Sequence, residues 1–178
     1  MIETKIAGLN LGSRDRAIPG FFNMDIDPHP GVDIVGDISD LSRFADGSVP
    51  AIYASHCLEH FPHVKTLAVL TEWRRVLESG GILYVAVPDF RRTVELYLKS
   101  DVGLTDWMNN YLWGDQGYST AYHYAGFDFP RLRKMLLAAG FSEASQVEEF
   151  PIGDKLDCSR KISTLDGKPI SLNVVAVR

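Results

Sequence analysis

Between Leu9 and Leu41 the chain reads LNLGSRDRAIPGFFNMDIDPHPGVDIVGDISDL. These are three short apolar runs, each followed closely by a small or acidic residue. Gly12 ends the first run, Asp25 lies near the end of the second, and Asp37 follows the third. Strands that end this way, side by side in an open α/β sheet, bring their last residues to one rim, where ligands bind. A glycine at the first strand end lets backbone approach a ligand closely. A carboxylate at the second can accept two hydrogen bonds from a ribose diol, and one at the third can read an exocyclic amine. The pattern predicts a site for an adenosine-like ligand.

The link from the first run to the second is only about ten residues and contains Pro19–Gly20. That is near the lower limit for a parallel crossover, so a turn or irregular loop is expected there in place of a helix. The first strand is read as Lys5–Leu11, the second as Phe21–Asp25, the third as Val32–Val35 and the fourth as Ala51–Ser55. Ser39–Phe44 is read as a turn of helix. Val64–Leu77 has apolar residues at helical spacing, with Gly80–Gly81 as its C-cap. Ile82–Val87 is a continuous apolar run of the buried parallel type. Helices are expected over Phe90–Leu98 and Pro130–Ala139, and strands over Glu143–Phe150 and Leu172–Val177. Asp166–Gly167 signals a turn in the connection from Pro151 to Ile170. Two strands with no helix between them at the end of a β/α alternation predict a mostly parallel sheet. Its late strand, Leu172–Val177, should run antiparallel beside strand five.

Length bounds the chain to one domain over residues 1–178. Net charge is −5, which does not favour a nucleic acid backbone. Arg74–Arg75, Arg91–Arg92 and the group Arg131, Arg133 and Lys134 are read as solvated helix faces. No run approaches the roughly 18 apolar residues of a membrane span, and the opening residues do not resemble a signal peptide. Cys57 and Cys158, far apart in dissimilar contexts, suggest no disulfide framework. A cytoplasmic location is the expectation.

The residues carry a family likeness. The opening LNLG, the PG and FxNxD that follow, DIVGDISDL, AIYASHCLEHF, LTEWRRVLESGGILYVAVPDF, a late LLAAGF and SLNVVAVR together resemble class I S-adenosylmethionine-dependent methyltransferases. The closest likeness is to a small type 11-like branch of that family. The resemblance implies a Rossmann-like, doubly wound, mostly parallel seven-stranded sheet with one antiparallel C-terminal strand, and S-adenosyl-L-methionine as cofactor. It also implies cofactor contacts at Leu11, Gly12, Ser13, Asp25, Ile26, Asp37, Ile38 and Ser55, with Asp25 preferred to Asp27 for the ribose. Ser13 and Arg14 stand where the branch usually shows another glycine, and Arg14 is a candidate partner for the cofactor's carboxylate.

In such a fold SHCLEH, residues 55–60, lies beside the departing methyl group. His titrates near neutrality, so His56 is read as a general base, with His60 as a lesser candidate. His56, His60 and His63 with Cys57 or Glu59 could supply metal ligands. Their spacing matches neither HExxH nor a paired-cysteine site, and no metal is expected. The aromatic stretch Trp107–Phe127 falls where the family inserts a substrate segment. Planar aromatics suit sugar, nucleotide or aromatic acceptors, and His123 and Tyr124 are candidates within it, His123 as an alternative base. The expected reaction is methyl transfer to an O or N atom of a small-molecule or glycan acceptor. The rival of the same fold is an inactive cofactor-binding or partner domain. A dinucleotide oxidoreductase is disfavoured by the absence of GxGxxG, and an RNA-modifying enzyme by the charge. The methyl acceptor and oligomeric state are left open.

Overall fold

A computed structural model describes residues 7–99, 101, 103–152, 158–161, 163 and 166–178. Seven strands form one sheet: β1 Gly8–Leu11, β2 Phe21–Asp25, β3 Ile34–Val35, β4 Val49–Ser55, β5 Leu77–Pro88, β6 Glu143–Val147 and β7 Ser171–Val177. Their spatial order is β3-β2-β1-β4-β5-β7-β6. β7 is antiparallel to both β5 and β6, and the remaining pairings are parallel. This is the expected architecture, with the antiparallel strand where the alternation placed it. The order reverses between β1 and β4, so the cleft at their carboxyl ends is a topological switch point. Of the expected first strand, Lys5 and Ile6 lie outside the described residues.

Alternation along the strands sends side chains to two cores. Leu83, Val85 and Val87 of β5 join Leu9, Leu11 and Ile52 in the main core. There they pack against α1 (Thr66–Val76) and α4 (Phe129–Ala138) through Trp73, Leu70 and Leu132. Tyr84 and Ala86 face the other way, toward Tyr53 and Phe150. That face is covered by Ile18, Phe150 and Ile152, and Ser159 of the 3-10 turn Cys158–Arg160 meets the Tyr53 hydroxyl. Helices α2 (Phe90–Lys99) and α3 (Asp106–Trp113) make a satellite cluster through Leu96, Met108, Tyr111 and Ile170.

The short first crossover is helix-free, as expected, and two buried asparagines explain how it holds. Asn10 of β1 donates from Nδ2 to the Arg16 carbonyl and to Asn23 Oδ1, at 2.8 and 2.9 Å. Asn23 Oδ1 also accepts the Ile18 N–H, and the Asn23 N–H donates to Asp33 Oδ2. Side-chain amides thus take over the hydrogen bonding that a helix would have provided internally.

Three expectations are corrected. Gly80–Gly81 do not cap α1. The helix ends at Val76 because Leu77 turns extended (φ −61°, ψ 142°) and pairs with Val49. The register then jumps to Ala51 opposite Ile82, so both glycines lie in a bulge of β5. Ser39–Phe44 is a pair of turns, not a helical turn. Glu72 and Arg75 of α1 grip its backbone at the Leu41 N–H and at the Leu41 and Phe44 carbonyls. The aromatic stretch also contains a helix where the sequence reading places none, α3. The Asp166–Gly167 turn is present, with the Gly167 N–H on the Ser163 carbonyl at 2.9 Å.

Candidate functional site

The carboxyl ends of β1, β2 and β4 open into one cavity of about 780 Å³, within the range of ligand and cofactor sites. Gly12 turns the chain at the end of β1 with φ +69°, a conformation glycine adopts without steric cost. A Cβ there would sit 2.7 Å from Cys57 Cβ, so both the turn and the packing against the β4 side require glycine. Ser13 follows, 3% exposed, and its Oγ has no hydrogen-bond partner among the described residues. It lies on the cavity wall, and a buried hydroxyl left open there awaits a polar ligand.

Asp25, at the end of β2, is 5% exposed. The Arg14 N–H donates to its Oδ2 at 2.8 Å and the Asp27 N–H to its Oδ1 at 3.1 Å. These two amides fix the carboxylate, and each oxygen retains a further acceptor position. Arg14 adopts φ +45° to deliver its amide. Past β3, Asp37 is exposed and uses Oδ1 to take the Ser39 N–H and hydroxyl, at 2.8 and 2.7 Å. Ile38 is buried behind it, its carbonyl accepting Trp73 Nε1–H. Asp25, Ile26, Asp27, Asp37, Ile38 and Ser55 all reach the cavity. Leu11 does not: it is fully buried in the main core, where it supports the rim from beneath.

The opposite wall is built from side chains of distant segments. His56, directly after β4, is held at φ +52°. A non-glycine residue in this region costs on the order of 1–3 kcal/mol. Its anchors are the N–H on the Ala86 carbonyl at 2.9 Å, Nε2 2.9 Å from Ser171 Oγ, and Nδ1 3.2 Å from Glu59 Oε1. Glu59 is fully buried in the 3-10 turn Leu58–His60. Burial opposes its ionisation, but His56, His60 and His123 around it prevail and hold the carboxyl below its ordinary value. His60 has Nδ1 2.9 Å from the Tyr122 carbonyl, and its ring stands edge-on to His123. His123 has Nδ1 3.1 Å from the Tyr111 carbonyl; burial, opposed by Glu59, pushes its pKa down.

The aromatic stretch therefore contributes unevenly. His123 and Tyr124 do not line the cavity; Tyr118, Ser119 and Thr120 do. Tyr124 stacks on Tyr122 instead, and its N–H and that of Ala125 both donate to the Glu59 carbonyl. Trp107 and Tyr111 serve the satellite core. Arg14 reaches across: its Nη1 donates to the Tyr118 hydroxyl at 3.0 Å, with the guanidinium 5.7 Å from the ring centroid. Among the basic groups, Arg75 pairs with Asp46 and Glu72, and Arg92 with Asp166 and Glu95.

Sequence reasoning missed the places of Ser171 and Tyr118 in the site and, though it weighed Glu59 as a metal ligand, the pairing of the buried Glu59 with His56. Glu59 was visible three residues after His56, but nothing in the sequence signalled that Ser171, 115 residues away, would meet that imidazole.

This sheet order and this rim define the class I methyltransferase architecture. A methyltransferase-domain family model matches residues 22–85. A methyltransferase structure from Archaeoglobus fulgidus superposes with a TM-score of 0.61 at 12% identity, covering 96% of this chain and 85% of that one. One from Methanosarcina mazei gives 0.59 at 17%, covering 96% and 91%. The 1,6-didemethyltoxoflavin-N1-methyltransferase of Burkholderia thailandensis, solved with S-adenosylhomocysteine, gives 0.56 at 15%, covering 97% and 72%. No curated protein matches in sequence. The chain has the fold of the class I S-adenosylmethionine-dependent methyltransferases, a family whose cofactor is S-adenosyl-L-methionine, and its residues 22–85 match a methyltransferase-domain model. The open Ser13 hydroxyl and the pinned Asp25 fit that cofactor.

Proposed function

We propose that the chain transfers a methyl group from S-adenosylmethionine to an O or N atom of a small-molecule or glycan acceptor. The carrying observation is that one cavity of about 780 Å³ joins the cofactor rim to a second wall of His56, His60, Phe61 and Tyr118. On this reading Asp25 takes the ribose hydroxyls, Asp37 the adenine amine, Gly12 and Ser13 the amino-acid end, and Ile26 and Ile38 flank the ring. The cofactor supplies a methyl group already activated on sulfonium, so the protein's task is chiefly to align the partners and exclude water.

His56 is the proposed general base for an acceptor hydroxyl. It lines the cavity, Glu59 would stabilise the imidazolium formed on proton uptake, and releasing Ser171 frees Nε2. His123, behind His60 and off the cavity wall, is withdrawn from that role.

A panel of sugar, phenol and amine acceptors, scored by release of S-adenosylhomocysteine, tests the proposal. Turnover with at least one hydroxyl or amine acceptor is expected, and His56→Gln should lower it by roughly 10²–10⁴ while leaving cofactor affinity in place. Release of product only with a nucleic acid acceptor would refute the acceptor class.

A further inference from the structure

Glu59 is a buried carboxylate that the methyl-transfer reading uses only through His56. It is fully inaccessible to solvent, and its Oε2 has no hydrogen-bond partner among the described residues. One ligand atom each from Glu59, His60 and His123 lies within 4.8 Å of the others. The two imidazoles are already oriented. A carbonyl can only accept, so the Tyr122 carbonyl fixes the proton of His60 on Nδ1, and the Tyr111 carbonyl does the same for His123. The Nε2 of each ring then carries a lone pair. Backbone carbonyls that hold one imidazole nitrogen so that the other can ligate are the usual outer shell of a metal site. His56 completes that shell on the third ligand, with Nδ1 3.2 Å from Glu59 Oε1.

We propose that Glu59, His60 and His123 form a binding site for a first-row divalent transition metal ion, in the wall of the cavity. Two imidazoles and one carboxylate suit zinc or its neighbours better than magnesium, which favours oxygen ligands. Zinc–ligand bonds of about 2.0–2.2 Å require the three atoms, which lie within 4.8 Å of one another, to draw closer when the ion binds. Three protein ligands leave coordination open for water or an acceptor oxygen, as catalytic rather than structural zinc sites do. Of the three ligands, His60 is the one that lines the cavity. The spacing in SHCLEH alone does not suggest this set, because the third ligand comes from a segment 63 residues further along the chain.

Metal binding is independent of the acceptor's identity and can be read without turnover. Purified chain stripped with a chelator should take up one equivalent of Zn²⁺ or Co²⁺ in equilibrium dialysis, and Co²⁺ should give visible d–d absorption. Mg²⁺ should compete at least tenfold less well. Glu59→Gln, His60→Ala and His123→Ala should each weaken uptake at least tenfold, and His63→Ala should leave it unchanged. S-adenosylhomocysteine binding reports whether each variant is folded. A second readout needs no variant: Zn²⁺ should protect His60 and His123 together from diethylpyrocarbonate in the wild-type chain, while His63 stays reactive. Absence of stoichiometric uptake, unchanged labelling of His60 and His123, or uptake that survives their loss and vanishes in Asp27→Ala would each overturn the assignment. The last outcome would place the ion at Asp25, Asp27 and His29.

Discussion

The two walls of the cavity are made by different means. On the β1–β2 side the chain uses its backbone. A glycine turn, two amides on one carboxylate and a pair of side-chain amides hold everything within about twenty residues of sequence. On the β4 side it uses side chains from three separate regions: the turn after β4, the stretch after α3, and the start of β7. The first wall is local and preorganised. The second depends on long-range packing, so its geometry can be lost by changes far from it.

That contrast sets the order of expected effects. The largest is on the second wall. Gly114 ends α3 at φ 79°, ψ 169°, a region essentially reserved for glycine, and a Cβ would lie 1.7 Å from the Ala121 carbonyl oxygen. Gly114→Ala should cost at least ~2 kcal/mol in stability, and at about 2–4 °C per kcal/mol this is readable as a melting-temperature drop of several degrees. S-adenosylhomocysteine affinity of the folded fraction should stay near wild type. If cofactor affinity collapses with it, the two walls are not separable.

Next comes the first wall. Asp25→Ala should weaken S-adenosylhomocysteine binding by about 1.5–3 kcal/mol, the scale of hydrogen bonds to a charged group. Asp27→Ala, whose backbone rather than side chain holds Asp25, should cost less than half as much. Calorimetry on both decides, and the reverse ranking would move the ribose contact to Asp27.

The smallest effect is a pH dependence. His123 ordinarily titrates near 6.5, and burial lowers this in the folded chain. Between 6.5 and the lower folded value the unfolded chain binds more protons, so stability falls as pH drops through that window. Below the folded value the loss is complete and constant. Glu59, held below its ordinary 4.5, adds a loss of the same sign further down the scale. Melting temperatures from pH 8 to 5.5 should fall less in His123→Gln than in wild type. Parallel slopes would show that His123 is not a source of the acid sensitivity.

The same contrast explains what could be read from the sequence. The rim was legible because each of its signals is short-range: a glycine after a strand, an acid at a strand end, a link too short for a helix. The turn at Gly80–Gly81 was misread for a related reason. A helix-ending glycine pair and a bulge look alike until the pairing partner, Val49 in β4, is known. The second wall was half legible. SHCLEH pointed to His56 and His60, but the choice of Tyr118 over Tyr124 as a lining residue depends on how the segment after α3 docks on the Glu59 carbonyl. Likewise Leu11 sits in the motif that ends β1, yet strand alternation turns its side chain into the core.

β7 lies between β5 and β6 in space but follows both in sequence. During synthesis β5 therefore waits with one edge unpaired while more than eighty residues are made. An apolar edge left open in this way is a template for pairing with another chain. Ser171 arrives with the strand that closes that edge, so His56 acquires its Nε2 partner only when the sheet is sealed. Nascent chains that have not yet released β7 are thus both the most prone to aggregate and the least able to hold His56 in its strained conformation.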